Sequence, residues 1–173
     1  MNKLFLILIS VFFVFLQLTI LTRLVILAVA PNLVLAFVLA LAIAKNKRRD
    51  DRLLIFIPAL LFDALNGLPF GLVTLSLWLT YAFINWVTDC FIKQNNFLSI
   101  LISSALGAFF YYLVLVVVLK AAQIFNYARG GEHLAQFYYI PNLLMNLVYG
   151  ALATLAIFYS FKNYLIDQND GRI

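Results

Sequence analysis

Long apolar segments alternate with short polar ones along the whole chain. A helix needs about 20 apolar residues to cross the roughly 30 Å of hydrocarbon in a bilayer. We therefore predict six transmembrane helices, at residues 4–21, 24–44, 53–65, 71–92, 97–119 and 140–161. The segments between them are too short for a soluble domain, so residues 1–173 are predicted to form a single all-α membrane domain, a six-helix bundle.

Composition agrees with this pattern. The chain is 65% hydrophobic and 11% charged, with a mean hydropathy of +1.02, whereas soluble domains are about 25% charged and 45–50% apolar. With the amino terminus in the cytoplasm, every Lys and Arg except Arg23, Lys120 and Arg129 lies on the inner side. The positive-inside rule thus predicts that both termini are cytoplasmic. The net charge of +5 reflects this orientation and not nucleic-acid binding.

The first apolar segment has an alternative interpretation. Lys3 followed by an apolar run is typical of a signal peptide, and Ala28-Val29-Ala30 resembles a cleavage site. The run over residues 4–21 is longer than the usual apolar region of about 7–15 residues. An uncleaved first transmembrane helix is therefore favoured.

Asp63 lies inside an apolar segment, near the end of the short third helix. Its distance in sequence from Arg52 predicts a position roughly 16 Å from the cytoplasmic edge, at about 1.5 Å per residue. An ionisable group at that depth is costly and indicates a functional site by default. Asp63 is interpreted as a structural residue, either held protonated or hydrogen-bonded to Asn66, the Gly67 backbone or a helix 2 partner such as Asn32. The alternative is a transport or proton-relay carboxylate. The structural or partner-binding role is favoured.

Small and polar residues recur at helical spacing in every predicted helix, which places them on one face. Such residues hold membrane helices together, so we expect these faces to point into the bundle. Gln17, Asn32, Asn142 and Asn146 are candidate partners of Asp63 or of another polar group. The faces are Ser10 and Gln17; Asn32, Ala36, Ala40 and Ala44; Ala59, Asp63 and Gly67; Gly71, Thr74, Trp78, Tyr81, Asn85 and Thr88; Ser99, Ser103 and Gly107; and Asn142, Asn146, Gly150 and Thr154.

Residues for catalysis are missing from the sequence. It contains no G-x-S-x-G and no H-E-x-x-H motif. The single histidine, His133, lies in a polar segment predicted to be an outer interfacial loop over residues 121–139, and the single cysteine, Cys90, has no partner for a disulfide or metal site. Asp89 is expected to be solvated beside Lys93. We predict a non-enzyme without cofactor or metal.

Helix 6 opens with Pro141-Asn142-Leu143, as helix 2 restarts with Pro31-Asn32-Leu33. This similarity indicates either a parallel internal repeat, as in some transporters, or a favourable helix start used twice. The second interpretation is preferred.

Several of these features together resemble a known family. They are Leu16-Gln17-Leu18-Thr19 at the end of helix 1, Pro31-Asn32-Leu33, the block FDALNGLPFG over residues 62–71, and Pro141 with Asn146. The block contains the pattern D-x-x-x-G-x-P-x-G, and the chain resembles the bacterial rod shape-determining protein MreD family over nearly its whole length. One departure is Asn32, where the family commonly has Asp.

The resemblance implies a non-catalytic scaffold subunit of the bacterial cell-elongation machinery, which controls cell shape through lateral peptidoglycan synthesis. It would lie in the cytoplasmic (inner) membrane, bind MreC directly, and share a complex with MreB, RodA and a class B penicillin-binding protein. Its partner-binding or structural motif would comprise Asp63, Gly67, Pro69 and Gly71, with Gln17, Asn32, Asn142 and Asn146.

The family is also similar in architecture to the six-helix substrate-binding subunits of energy-coupling-factor transporters. The alternative function is therefore that of a substrate-binding membrane subunit for a vitamin-type solute, with its ligand in a cavity open to the outside.

Overall fold

The computed structural model describes residues 3–21, 32–44, 52–65, 69–91, 97–124 and 140–166. Throughout these ranges the chain is helical apart from short connecting residues, and it forms six α-helices and one short π-helical segment. They are α1 (Lys3–Leu16) with the π-helical segment (Gln17–Leu21), α2 (Leu33–Ala44), α3 (Arg52–Leu65), α4 (Leu72–Phe91), α5 (Phe97–Ile124) and α6 (Ile140–Ile166).

Three helix ends differ by more than one residue from the predicted spans. Helix α2 begins at Leu33, directly after Asn32, and residues 22–31 lie outside the described part of the chain. Helix α5 continues to Ile124 and α6 to Ile166. The predicted loop over residues 121–139 therefore loses its first four residues to α5, because Ala and Gln are good helix formers that extend a helix beyond its apolar part.

One helix among the described residues is both long enough and apolar enough to cross a membrane. It covers Phe97–Ala122, with a mean hydropathy of 2.3. Shorter apolar helices cover Ile7–Thr19, Leu33–Ala44, Ile55–Leu65 and Met145–Ser160.

Helix α2 lies at the centre of the bundle. The other helices surround it in the order α1, α3, α4, α5, α6, and each of them packs against it. All residues from Val34 to Ile43 are buried, as expected for a helix that is apolar on every side. On α5, a Cβ atom at Gly107 would overlap the Leu39 side chain and lie 3.0 Å from Cγ1 of Ile84. Glycine thus allows α5 to approach both α2 and α4 closely.

The bundle carries large apolar side chains on its surface as well as in its core. Large apolar side chains such as Leu8, Phe12 and Leu98 are exposed on the surrounding helices. The following hydroxyl residues are buried: Ser10, Ser76, Thr80, Thr88, Ser103, Ser104 and Thr154. Each of these hydroxyls donates a hydrogen bond of 2.7–3.0 Å to a carbonyl of its own helix. Their polar groups are therefore satisfied without water.

The inward face of α4 differs from the predicted one. Trp78 is 48% exposed, whereas Ser76 and Thr80 are fully buried. The prediction that Trp78 faces the interior is wrong. Small hydroxyl side chains allow closer helix approach than an indole ring does, so α4 turns Ser76 and Thr80 towards the bundle.

Candidate functional site

Asp63 is buried in the last turn of α3, with 1% of its surface exposed. Its Oδ2 accepts hydrogen bonds from the backbone N–H of Gly71 (2.7 Å), the N–H of Thr74 (3.1 Å) and the Thr74 hydroxyl (2.8 Å). Its Oδ1 accepts one from the N–H of Val73 at 3.1 Å. All four partners are donors, and an ionised carboxylate, which only accepts, satisfies all of them.

The turn before α4 explains why these donors are available. The carbonyl of Pro69 accepts from the N–H of Leu72 at 3.3 Å, which tightens the turn. Gly71 has a φ of 96°, a left-handed conformation that glycine adopts without steric cost. Gly71 also precedes the first residue of α4, the position at which Ser, Thr, Asp or Asn normally caps a helix. Glycine has no side chain to do this.

Asp63 therefore supplies the missing cap from the neighbouring helix. The first N–H groups of a helix have no partner within the helix, and the positive end of the helix dipole favours an anion there. The Asp63 carboxylate accepts hydrogen bonds from these N–H groups and places a negative charge at the positive end of the dipole. It thereby links the end of α3 to the start of α4. Asn32 is not a direct partner, contrary to one of the predicted possibilities, and Asn66 and Gly67 lie outside the described residues.

The start of α2 is capped by two predicted site residues. Oδ1 of Asn32 accepts from the N–H of Leu35 at 3.0 Å, and its backbone carbonyl accepts from Ala36 at 3.0 Å. Oε1 of Gln17 accepts from the N–H of Leu33 at 2.7 Å. Gln17 is 8% exposed and begins the π-helical segment. Such segments re-aim side chains and often occur at functional positions.

Tyr111 on α5 lies near both helix starts. It is buried, it forms a side-chain hydrogen bond with Asn32, and it lies within electrostatic range of Asp63. Tyr111 lies midway along α5, about 21 Å from its start at 1.5 Å per residue. The starts of α2 and α4 therefore both lie deep in the bundle. We call Gln17, Asn32, Asp63, Thr74 and Tyr111 the polar node.

The remaining predicted site residues are not among the hydrogen-bond partners of Asp63, or their side chains lie outside the described part of the chain. Pro69 is half-buried and acts through its carbonyl. Asn146 is half-buried on α6. Asn142 belongs to the first turn of α6, and its side chain is outside the described part. Thr74 and Tyr111 were not predicted as node members, although Thr74 follows Gly71 by three residues, where capped N–H groups are found.

Within the described residues, no group of three or more His, Cys, Asp and Glu side chains is placed to hold a metal ion. No protein-family model matches the sequence, and no curated protein or solved structure gives a significant match. The functional interpretation therefore depends on the geometry around Asp63 and on the sequence signature that contains it.

Proposed function

We propose that the chain crosses a bacterial cytoplasmic membrane six times, with both ends of the sequence on the cytoplasmic side. The many large apolar side chains exposed on the surrounding helices support this, because extensive apolar exposure is typical of membrane or protein contacts. The buried hydroxyls support it as well, since each donates within its own helix. In hydrocarbon every polar group needs such an internal partner.

We further propose that it acts as a non-catalytic scaffold subunit of the cell-elongation machinery, as a member of the MreD family that binds MreC. The observation that carries this proposal is the bond between Asp63 and Gly71, the first and last residues of the D-x-x-x-G-x-P-x-G signature. Each described residue of the signature has a physical role, since Asp63 caps, Pro69 closes the turn, and Gly71 adopts a positive φ. The signature thus builds a rigid junction between α3 and α4.

In this proposal Asp63 positions helices and does not itself contact MreC. Its carboxylate already accepts four hydrogen bonds within the chain, which favours a structural role over proton transfer. The burial of α2 on all sides favours a scaffold over a solute-binding subunit. MreB, RodA and a class B penicillin-binding protein would be further members of the complex.

The proposal is tested with Asp63→Asn, which alters the cap, and Gly71→Ala, which strains the positive φ of the turn; each is expressed as the full chain in the native rod-shaped host in place of the wild type. Both variants should round the cells and reduce the MreC recovered with the chain from solubilised membranes, because a loosened α3–α4 junction displaces the outer helices. Leu8→Ala on the exposed face of α1 serves as the control. Rod shape and MreC recovery unchanged in both variants, at equal chain levels, would refute the proposal.

A further inference from the structure

Helix α3 has a short apolar surface on the perimeter of the bundle. The helix has 14 residues, from Arg52 to Leu65, and measures about 21 Å at 1.5 Å per residue. It packs mainly against α1 and α4, and Phe56 and Leu65 are 46% and 51% exposed. Arg52 stands at its start, and Asn66 follows its end in the sequence. This surface is about 9 Å shorter than the roughly 30 Å hydrocarbon layer of a bilayer.

Helix α5 has a much longer apolar surface. Its exposed apolar side chains extend from Leu98 to Val117, over about 28 Å at 1.5 Å per residue. The exposed Lys120 follows Val117 by one turn. This length matches the hydrocarbon layer. Helix α4 packs against both α3 and α5, so the same chain presents a short and a long apolar surface to its surroundings.

The polar node places the two surfaces at a common height. Asp63 of α3 and Tyr111 of α5 both belong to it and lie near each other. In the cytoplasmic direction, Arg52 lies about 16 Å from Asp63, and Leu98 lies about 20 Å from Tyr111, at 1.5 Å per residue. The inner ends of the two surfaces therefore nearly coincide.

The difference between the two helices lies on the outer side of the node. Helix α3 ends at Leu65, about 3 Å beyond Asp63, whereas the exposed apolar face of α5 continues to Val117, about 9 Å beyond Tyr111. The first charged residue of α5 on that side, Lys120, lies about 13 Å beyond Tyr111. The apolar surface thus ends about 6–10 Å lower on α3 than on α5.

Asp63 also fixes the height of the junction after α3. Its hydrogen bonds to Gly71, Val73 and Thr74 hold the first turn of α4 at the level of the node. Phe70, which is 69% exposed, directly precedes Gly71 and therefore lies close to that level. The end of α3 and the start of α4 are thus held together, and neither helix extends the apolar surface farther outward.

A bilayer adapts to an apolar surface shorter than its hydrocarbon layer by becoming thinner around it. Tilting cannot remove the difference at α3, because a tilted helix spans even less of the layer. Moving the whole bundle outward cannot remove it either, because Arg52 would then enter the hydrocarbon, where charged side chains are costly.

We propose that the exposed face of α3 meets a locally thinned bilayer, in which the headgroups of the outer leaflet descend to the level of Leu65, while α5 meets hydrocarbon of ordinary thickness. The partner of this surface is lipid. The inference rests on the membrane location and orientation in the proposed function, and it does not depend on MreC.

Spin labels at three exposed positions test the thinning directly. Leu65 and Leu113 each lie two residues beyond a residue of the node and are 51% and 46% exposed, and Val117 lies one turn farther out. Leu65→Cys, Leu113→Cys and Val117→Cys are made singly in the full chain with Cys90→Ser. Each variant is labelled with a nitroxide and reconstituted without MreC into dioleoylphosphatidylcholine vesicles.

Electron paramagnetic resonance then measures how often each label collides with oxygen, which enters hydrocarbon, and with a nickel chelate, which stays in water. In a bilayer of uniform thickness, the labels at Leu65 and Leu113 would give the same ratio of nickel to oxygen collisions. We expect a ratio at Leu65 that is several-fold higher than at Leu113 and close to that at Val117. In dimyristoleoylphosphatidylcholine vesicles, whose hydrocarbon layer is thinner, the ratio at Leu113 should rise towards that at Leu65.

Equal ratios at Leu65 and Leu113 would overturn the thinning and leave the proposed function standing. A label at Leu65 that is shielded from both reagents would overturn it in favour of a protein contact at α3. A ratio at Leu113 that stays low in the thinner vesicles would also overturn it, because bilayer thickness would then not determine these ratios. Free access of nickel to Leu113 in the thicker vesicles would overturn both this inference and the proposed membrane location.

Discussion

Removing the carboxylate of Asp63 should destabilise the bundle far more than removing any other single polar side chain of the node. In Asp63→Ala, the N–H groups of Gly71, Val73 and Thr74 lose their acceptor. The Thr74 hydroxyl can rotate to a carbonyl of the preceding turn, as the hydroxyls of Ser76 and Thr80 do. Three buried N–H groups then remain unsatisfied, at about 1–3 kcal/mol each.

The loss of the anion at the start of α4 adds up to about 2 kcal/mol. Because the turn can relax and admit water, we expect a total of about 4–6 kcal/mol for Asp63→Ala, below the sum of the maximal values.

Two milder variants of the same site separate the contributions. Asp63→Asn keeps one oxygen for the Gly71 and Thr74 donors, but its amide group faces the N–H of Val73, so we expect a loss of about 2–3 kcal/mol. Thr74→Val removes only the hydroxyl donor and should cost about 1 kcal/mol. The predicted order of destabilisation is therefore Thr74→Val, then Asp63→Asn, then Asp63→Ala.

The assay is reversible unfolding of the purified chain in mixed detergent micelles, with the helical circular dichroism signal followed as denaturing detergent is added. All variants are compared in the same micelles at neutral pH. An Asp63→Ala variant within about 0.5 kcal/mol of the wild type, the range of ordinary surface substitutions, would refute the capping role. An Asp63→Asn variant more stable than Thr74→Val would refute the requirement for a carboxylate.

The packing around Gly107, the cap formed by Gln17 and the membrane topology can each be tested separately. In the unfolding assay, Gly107→Ala should destabilise the bundle by about 1–3 kcal/mol, because the new Cβ would overlap the Leu39 side chain. Gly150→Ala is the control and should be neutral or stabilising, since its new Cβ would lie 3.7 Å from the Cβ of Ala108. Equal effects of the two substitutions would contradict the close contact between Gly107 and Leu39. Gln17→Ala should cost about 1–3 kcal/mol by leaving the N–H of Leu33 without its acceptor. Gln17→Leu, which keeps the volume but has no acceptor, should cost nearly as much, and a neutral effect of both variants would argue against the cap. The proposed topology places Cys90, near the end of α4, on the cytoplasmic side. In cells without MreC, Cys90 should therefore react with a membrane-permeant maleimide, and with an impermeant maleimide only after lysis. Labelling of Cys90 in intact cells by the impermeant reagent would contradict the proposed orientation.

Much of the helical framework could be predicted from the sequence, because apolar runs and prolines determine where helices form and restart. That Asp63 needs hydrogen-bond partners could also be predicted, since a carboxylate among apolar residues requires them. The choice of partners could not, because it depends on the left-handed conformation at Gly71 and on how α3 packs against the start of α4. Spacing alone also could not orient α4, where Trp78 and Thr80 compete for the interior and the smaller side chain is buried.

The central claim, that this chain is a membrane scaffold for MreC, is tested most directly by purifying the tagged full chain from gently solubilised native membranes and identifying its companions by quantitative mass spectrometry. We predict that MreC is enriched in amounts comparable with the chain itself and that no small solute is retained in native spectra. Enrichment of a transporter coupling subunit with its ATPases, together with a bound vitamin-like solute and no MreC, would contradict the claim.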